Sequence, residues 1–232
     1  MCGRFTLIQV EKIPERFDAK IFGEVNLRKR YNISPGQPVP LVFQESPNKI
    51  EEMIWGLIPH WASDPSTSKA LINARSDSLL EKPAFKESFL KRRCLVPADG
   101  FYEWKLAGKE KIPHYIRMKD SSLFAFAGLY DIWKDKDGKV IKTFTIITTE
   151  PNSLLKNIHN RMPVILREED EKIWVNKEEK DVDKLLSILK PYPPELMEAY
   201  PVSKKVNSNN NDSEDLIKPI KIFYLPNQEN LL

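Results

Sequence analysis

The sequence has few of the residues that build metal centres and disulfide frameworks. It contains two cysteines, Cys2 and Cys94, and three histidines in 232 residues. Two cysteines cannot form a disulfide framework, and no group of Cys and His has the spacing of a zinc site. We therefore expect no metal and no cofactor. The low cysteine content is also typical of the reducing cell interior, which predicts a cytoplasmic location.

Long apolar runs are also absent. No run reaches the ~18 residues that a membrane-spanning helix needs, and the first residues lack the apolar core of a signal peptide. We therefore expect no membrane partner. No heptad pattern or large apolar stripe indicates an oligomer, so a monomer is the default expectation.

Neither sign of charge dominates. The chain carries 36 Lys and Arg against 33 Asp and Glu, which gives a net charge of +3. This small surplus permits a nucleic-acid partner but does not indicate one. Glycine is scarce as well, with 8 residues against 18 prolines, and this indicates many fairly rigid loops.

The rest of the chain alternates short apolar segments with polar turns, a pattern of β-strands with interspersed helices. We assign strands to 38–44, 49–55, 101–104, 113–118, 123–130, 141–148, 164–166 and 218–225, and helices to 9–19, 83–92, 151–157, 170–176 and 181–189. No repeat or shift in composition marks a domain boundary. The sequence predicts one α+β domain over residues 1–232, with a mostly antiparallel, barrel-like β core, peripheral helices and a frayed tail at 226–232.

The N-terminus offers unusual chemistry. If Met1 is removed, Cys2 presents an amine and a thiol on adjacent carbons. Such an amine titrates near ~7.7–8.0 and the thiol near ~8.5, so both are usable nucleophiles. Together they can close a thiazolidine ring on an aldehyde carbon, or the thiol can attack a carbonyl with the amine as its base. An idle cysteine in a frayed terminus is the alternative.

Four further positions are candidates for the same chemistry, each with a structural alternative. Asn73 and Arg75 point the same way if their segment is extended, or else they are a turn residue and a surface arginine. Glu103 lies between aromatic residues and can carry a proton near neutral pH, or else it points to water. His159 beside Arg161 can be an acid or base, or else it is structural.

The two remaining signals concern Trp61 and Cys94. The segment 55–61 carries two tryptophans beside Pro59, and it forms either a core corner or an exposed ledge that stacks on nucleobases. Cys94 precedes apolar residues and is expected to be a buried structural thiol.

Taken together, the motifs resemble the SOS-response-associated peptidase family, also called abasic site processing proteins. The matching motifs occur in order along nearly the whole chain. They are Met1-Cys2-Gly3-Arg4-Phe5, Tyr31-Asn32-Ile33-Ser34-Pro35-Gly36, Trp55-Gly56-Leu57-Ile58-Pro59, Ile72-Asn73-Ala74-Arg75-Ser76, the segment 94–104, Ile158-His159-Asn160-Arg161-Met162-Pro163 and the segment from Pro201 to Ile220. Each motif alone is weak, and the ordered set is specific.

The resemblance implies a substrate and a set of roles. Family members recognise abasic sites in single-stranded DNA and crosslink to them through an N-terminal cysteine, here Cys2, which autoproteolytic removal of Met1 exposes. The implied catalytic roles are ligand holding by Asn73, proton transfer by Glu103 and acid–base action by His159. The implied DNA contacts are Arg4, Arg75 and Arg161 to phosphates and Trp61 and Pro35 as an apolar wedge. Association with the nucleoid when DNA is bound also follows.

One segment departs from the family pattern, and three other functions stay open. Residues 62–69 are polar and rich in serine, so the grip on DNA can differ. The first alternative is an amidohydrolase of the glutaminase type, which also uses an N-terminal cysteine. The second is a single-stranded-DNA-binding module in which Cys2 is idle, and the third is a peptidase that acts on other proteins.

Overall fold

A computed structural model describes residues 2–45, 48–65 and 71–221 of the chain. Within these ranges, no helix is both long enough and apolar enough to cross a membrane. The strands are β1 (Arg4–Leu7), β2 (Ala19–Ile21), β3 (Arg30–Ile33), β4 (Pro38–Phe43), β5 (Asn48–Trp55), β6 (Asn73–Arg75), β7 (Arg93–Ala98), β8 (Gly100–Ala107), β9 (Glu110–Met118), β10 (Phe124–Lys134), β11 (Val140–Thr149), β12 (Met162–Pro163) and β13 (Met197–Pro201). The α-helices are α1 (Ile13–Arg16), α2 (Pro83–Lys91), α3 (Glu168–Val175) and α4 (Val182–Ser187).

Five of the eight strands of the larger sheet close into a barrel. Its order is β11-β10-β7-β4-β5, and β5 pairs back with β11. The pairing of β5 with β11 is parallel, whereas the other four pairings are antiparallel. Closure leaves no open edge in these five strands. The predicted α+β class with a mostly antiparallel, barrel-like core is confirmed.

A second sheet carries the N-terminus. Its order is β13-β9-β8-β1-β3, so β1 lies between β8 and β3. In the antiparallel register of β1 with β8, Arg4 faces Tyr102 and Phe5 faces Phe101. Since side chains alternate along a strand, Arg4 and Phe5 project from opposite faces of this sheet.

An aromatic core joins the sheet to the barrel. Phe5 is fully buried and makes edge contacts with Trp55 at 5.2 Å and with Phe126 at 5.8 Å between ring centroids. Burying one such ring stabilises the fold by roughly 1.5–3 kcal/mol. Phe5 therefore fixes the position of the chain three residues after Cys2.

The end of β1 is anchored by polar groups. The Thr6 hydroxyl donates to Asp99 Oδ1 at 2.6 Å, and the Gln9 amide donates to Asp99 Oδ2 at 2.9 Å. Gly100, the residue after Asp99, packs closely against Tyr115, since a Cβ atom at position 100 would lie 2.1 Å from the Tyr115 hydroxyl. Phe5 and Thr6 within β1, and Gln9 just after it, are thus each held by contacts with other parts of the fold.

Most predicted elements are observed, and four are wrong. The strand predicted at 164–166 is absent, since β12 lies at Met162–Pro163 and Ile165 forms a single bridge with Phe126. Residues 9–19 form a 3-10 turn at Val10–Lys12, the short helix α1 and then β2, because Asp18 adopts a left-handed φ of 45° and reverses the chain. Residues 151–157 form turns rather than a helix. The Lys156 amide bonds the Asn152 carbonyl, but the amides of Ile158 and His159 both bond the Leu155 carbonyl, so no continuous run of helical bonds develops.

The end of the chain also differs from the prediction. In the described part of 218–225, a single bridge from Pro219 to Val202 replaces the predicted strand. The predicted tail at 226–232 lies outside the described residues. The extent of one domain over 1–232 therefore stays a prediction.

Candidate functional site

Cys2 lies directly ahead of β1 and is fully buried. The Asn73 side-chain amide donates to the Cys2 carbonyl at 2.9 Å, and the Cys2 thiol contacts the Arg4 carbonyl at 3.9 Å. Among the described residues, the buried Asn73 Oδ1 has no hydrogen-bond partner. An acceptor atom is therefore placed beside Cys2 with its bonding capacity unused.

Asn73 is held on a short strand. β6 runs parallel to β11, with Asn73 opposite Ile146 and Arg75 opposite Thr148. Because the segment is extended, Asn73 and Arg75 project from the same face, as expected. The alternative of a turn asparagine is wrong, since Asn73 belongs to a paired strand.

Glu103 and His159 line one cavity of about 710 Å³. Glu103 is 2% exposed on β8, so the alternative in which it points to water is wrong. The Arg161 amide donates to His159 Nδ1 at 3.1 Å. Nδ1 also lies 3.3 Å from the Arg161 carbonyl, so the two contacts fix the orientation of the ring rather than the position of its proton.

The electrostatics of Cys2 are set by its surroundings. Burial raises the pKa of the Cys2 thiol well above its ordinary range, and the nearby Glu103 carboxylate raises it further. A buried thiol next to a carboxylate keeps its proton at neutral pH. Cys2 and Glu103 are therefore close enough for their charges to interact, and a proton must leave the thiol before it reacts.

Arg75 and Arg161 meet at Asp77. Arg75 Nη2 lies 2.8 Å from Asp77 Oδ2, and Arg161 Nη1 lies 3.2 Å from the same oxygen. Arg161 also donates to the Thr148 carbonyl at 2.6 Å, which fixes its direction. The hydrogen bond from Arg75 is the main reason that the pKa of Asp77 is lowered. The pair presents two guanidinium groups near Asn73.

Arg4 is bound within the protein. Its guanidinium donates to Asn32 Oδ1 and to the Val206 carbonyl, each at 2.8 Å, and to the Asn207 carbonyl at 3.3 Å. Burial lowers the pKa of Arg4. Arg4 therefore ties β1 to the segment around residue 207 and keeps only part of its donors for a phosphate.

Trp61 is 58% exposed, whereas Trp55 is 1% exposed. Trp61 therefore forms an exposed ledge, and Trp55 belongs to the core. The chain on both sides of Trp61 is fixed. Buried Asp131 accepts the His60 amide at 2.9 Å and the His60 ring at 3.0 Å, and Trp133 Nε1 donates to the Ala62 carbonyl at 2.7 Å.

Pro35 occupies the turn between β3 and β4. The next residue, Gly36, has a φ of 85°, which favours glycine, and its amide donates to the Trp55 carbonyl at 2.7 Å. In the described part of the chain, no hydrogen bond or ring contact joins Pro35 to Trp61. Their joint action as a wedge stays a prediction.

The structure adds residues that sequence reasoning missed. Asp77 follows Arg75 by two positions, and Asn32 lies inside a motif that we matched without a role. Asn207 lines the cavity and accepts the Trp104 indole N–H at 2.9 Å, although it lies 103 residues away in the chain. The first two carried a local signal, and the third carried none.

No metal centre is visible in residues 2–45, 48–65 and 71–221, where no group of three or more His, Cys, Asp or Glu could hold an ion. The expectation of no metal and no cofactor stays a prediction.

The fold and this geometry define a class: an α+β protein in which Cys2 is buried beside Asn73 and near Glu103, with His159 in the adjoining cavity. The SOS response associated peptidase (SRAP) model matches residues 1–209, and the chain belongs to this family. The family that the motifs predicted is confirmed.

Relatives with names and structures support the assignment. The abasic site processing protein YoqW of Bacillus subtilis (strain 168) is 47% identical over 222 residues, covering 94% of this chain and 99% of the relative. The abasic site processing protein HMCES of Gallus gallus is 33% identical, covering 86% of this chain and 68% of the relative. A crystal structure of a protein from Bacteroides thetaiotaomicron has a TM-score of 0.86 with 32% identity, covering 95% of this chain and all of that one.

Proposed function

We propose that the protein processes abasic sites in DNA and forms a covalent crosslink with the lesion in single-stranded DNA through Cys2. The crosslink shields the lesion from strand cleavage. The observation that carries this proposal is the 2.9 Å contact of Asn73 with the Cys2 carbonyl, next to the cavity that Glu103 and His159 line. The names of the relatives support the same substrate.

The chemistry starts at the aldehyde of an opened abasic sugar, a group that intact DNA lacks. The α-amine of Cys2 adds to the aldehyde carbon, and loss of water gives an imine. The Cys2 thiol then adds to the imine carbon while its proton passes to the nitrogen, which closes a thiazolidine ring. Glu103, buried beside Cys2, carries the protons of the dehydration and of ring closure.

Asn73 and His159 support the two ends of this reaction. Asn73 Nδ2 holds the Cys2 carbonyl, and its unused Oδ1 can accept a hydrogen bond from the amine or from the nascent ring. His159 gives or takes the proton of the sugar hydroxyl that ring opening releases, and it acts in the reverse reaction as well.

The reaction requires a free amine on Cys2, so Met1 must be removed first. We propose that the protein does this itself. The Cys2 thiol attacks the Met1 carbonyl, and its proton passes to the Cys2 nitrogen as the peptide bond breaks and frees the amine. Water then hydrolyses the thioester, which releases methionine as the free acid and restores the thiol. The protein therefore combines an autopeptidase step with crosslinking and lyase-type chemistry.

The DNA strand is held by phosphate contacts and by an apolar wedge. Arg75 and Arg161, joined by Asp77, face the phosphates with Arg4, and Trp61 with Pro35 stacks against bases. Each phosphate contact releases counterions, so binding weakens as salt rises, with a slope of about −0.7 per contact for a single strand. We expect a cytoplasmic monomer that associates with the nucleoid when it is bound to DNA.

The test is a denaturing gel shift with single-stranded DNA that carries one abasic residue, with intact DNA as the control. We expect a heat-stable adduct with abasic DNA only, and mass spectrometry of the same sample shows loss of Met1. A protein that lacks Met1 but forms no adduct contradicts the proposal. Turnover of glutamine to ammonia then supports the amidohydrolase, and equal binding of abasic and intact DNA supports the non-covalent module.

A further inference from the structure

The cavity that contains Glu103 and His159 extends beyond them. It continues along β8 to Leu106 and reaches Lys111 on β9. Pockets of a few hundred cubic ångströms enclose drug-sized ligands. An abasic residue offers only a sugar and its phosphates, so a cavity of about 710 Å³ leaves room for a neighbouring group.

The far wall of the cavity is apolar. Leu106 is 65% exposed, and Trp104, two residues earlier on the same face of β8, is partly exposed. The Trp104 indole is fixed by its hydrogen bond to Asn207 Oδ1. A single exposed leucine is ordinary. Leu106, however, extends the surface of the Trp104 ring within the cavity that Glu103 and His159 also line.

A cation lies beside this apolar wall. Lys111 is directly opposite Leu106 in the register of β8 with β9, so the two side chains share a face. Among the described residues, no ion pair is recorded for Lys111, whereas its chain neighbour Glu110 pairs with Lys204 at 3.0 Å. Lys111 therefore has a charge that a phosphate can use.

The outer end of the wall lies beyond the predicted catalytic residue on the same strand. Leu106 follows Glu103 by three residues on β8, about 10 Å along an extended strand. The groove is continuous with the predicted phosphate contact Arg4, because Asn207 borders the cavity and its carbonyl accepts from Arg4.

We propose that Leu106, Trp104 and Lys111 form a nucleotide subsite, which holds the nucleotide next to the abasic residue on the same strand. The base lies on the apolar wall and the phosphate faces Lys111. This inference rests on the proposed function and deepens it, since it makes crosslinking depend on an intact nucleotide on one side of the lesion.

The experiment compares three single-stranded oligonucleotides, with the abasic residue central, near the 5′ end or near the 3′ end. The rate of Cys2 adduct formation is measured at subsaturating protein for wild type, Leu106→Ala and Lys111→Ala. Leu196→Ala and Lys109→Ala are matched controls, because Leu196 is also half exposed and Lys109 lies on the same hairpin outside the cavity.

We expect wild type and both controls to lose about 10-fold in rate when the nucleotides on one particular side are removed. Leu106→Ala and Lys111→Ala form the adduct slowly even on the oligonucleotide with the central abasic residue. Truncation of the DNA lowers their rate little further, because the substitution and the truncation remove the same contact. In a further oligonucleotide the neighbouring nucleotide is replaced by a tetrahydrofuran residue, which keeps the phosphate but lacks the base. This replacement slows adduct formation by wild type and by Lys111→Ala but not by Leu106→Ala.

Equal slowing of the variants on all three oligonucleotides, or no slowing at all, overturns the subsite while the Cys2 adduct still supports the proposed function. Absence of any wild-type adduct overturns the proposed function instead. In that case the binding affinities of the same three oligonucleotides test the subsite. The subsite then predicts that wild type loses affinity when the nucleotides on one side are removed, and that Leu106→Ala and Lys111→Ala lose little more.

Discussion

The two cysteines occupy buried sites of different kinds. Cys2 and Cys94 are both fully buried, and burial raises the pKa of both thiols. Cys94 lies inside β7 in the barrel, opposite Gly128. A Cβ atom at Gly128 would lie 2.8 Å from the Cys94 sulfur, so this glycine makes the room that the thiol fills.

Their polar surroundings separate the two sites. Burial is the one cause that raises the pKa of Cys94, whereas the Glu103 carboxylate also acts on Cys2. Asn73 bonds the Cys2 carbonyl from a separate strand. The comparison teaches that burial alone gives an inert thiol. Chemistry needs a proton carrier and a fixed backbone at the same place.

The largest expected effect tests the difference between the two cysteines directly. Cys2→Ala removes the heat-stable adduct completely, because the remaining α-amine can form only a reversible imine and no thiol is left to close the ring. Cys94→Ala keeps the adduct and loses only about 1 kcal/mol of unfolding free energy, as is usual for a small change in a core. A denaturing gel and a thermal melt of both variants check this. An adduct of wild-type strength in Cys2→Ala contradicts it.

Glu103→Gln keeps the shape of the buried side chain but cannot carry a proton. We expect the rate of adduct formation to fall by roughly 10²–10⁴-fold. The control is Glu171→Gln, because Glu171 is a second buried carboxyl group, paired with Arg16 away from the cavity. It should lower the melting temperature and leave the rate unchanged. A wild-type rate in Glu103→Gln rules out proton transfer by this group.

Asn73→Asp removes the donor that holds the Cys2 carbonyl. The unpaired carbonyl should cost about 1–3 kcal/mol, which corresponds to a rate loss of roughly 10- to 100-fold. Asn152→Ala is the control, since Asn152 is also buried and donates to the Tyr192 carbonyl. If both variants lose stability but keep the rate, Asn73 has a structural role only.

The smallest effect is a slope of stability at alkaline pH. Because the folded pKa of Cys94 lies above the unfolded value of about 8.5, the folded thiol keeps its proton while the unfolded thiol loses it. Its stabilisation is complete below about pH 8.5 and falls above it, by at most about 1.4 kcal/mol per pH unit. Cys94→Ala should flatten this slope in urea melts between about pH 8.5 and 10. An equal slope in both proteins refutes the prediction.

The sequence carried much of the site because its signals are local. Asn73 and Arg75 share a face through strand alternation alone, and Phe85 and Phe89, four residues apart, both turn inward on α2. The helix predicted at 151–157 forms only turns. The Lys156 amide bonds the Asn152 carbonyl, but the amides of Ile158 and His159 both bond the Leu155 carbonyl, and periodicity does not reveal where such a run of bonds stops.

By itself, the sequence determined the class of fold, the family motifs and the residue types that abasic-site chemistry needs. The tertiary structure decided which of them meet. Asn73 reaches the Cys2 carbonyl because β6 pairs with the barrel strand β11. Arg4 binds Asn32 and also, across about two hundred residues, the segment at 206–207. Such contacts depend on strand order and closure of the barrel, and local patterns do not specify these long-range pairings.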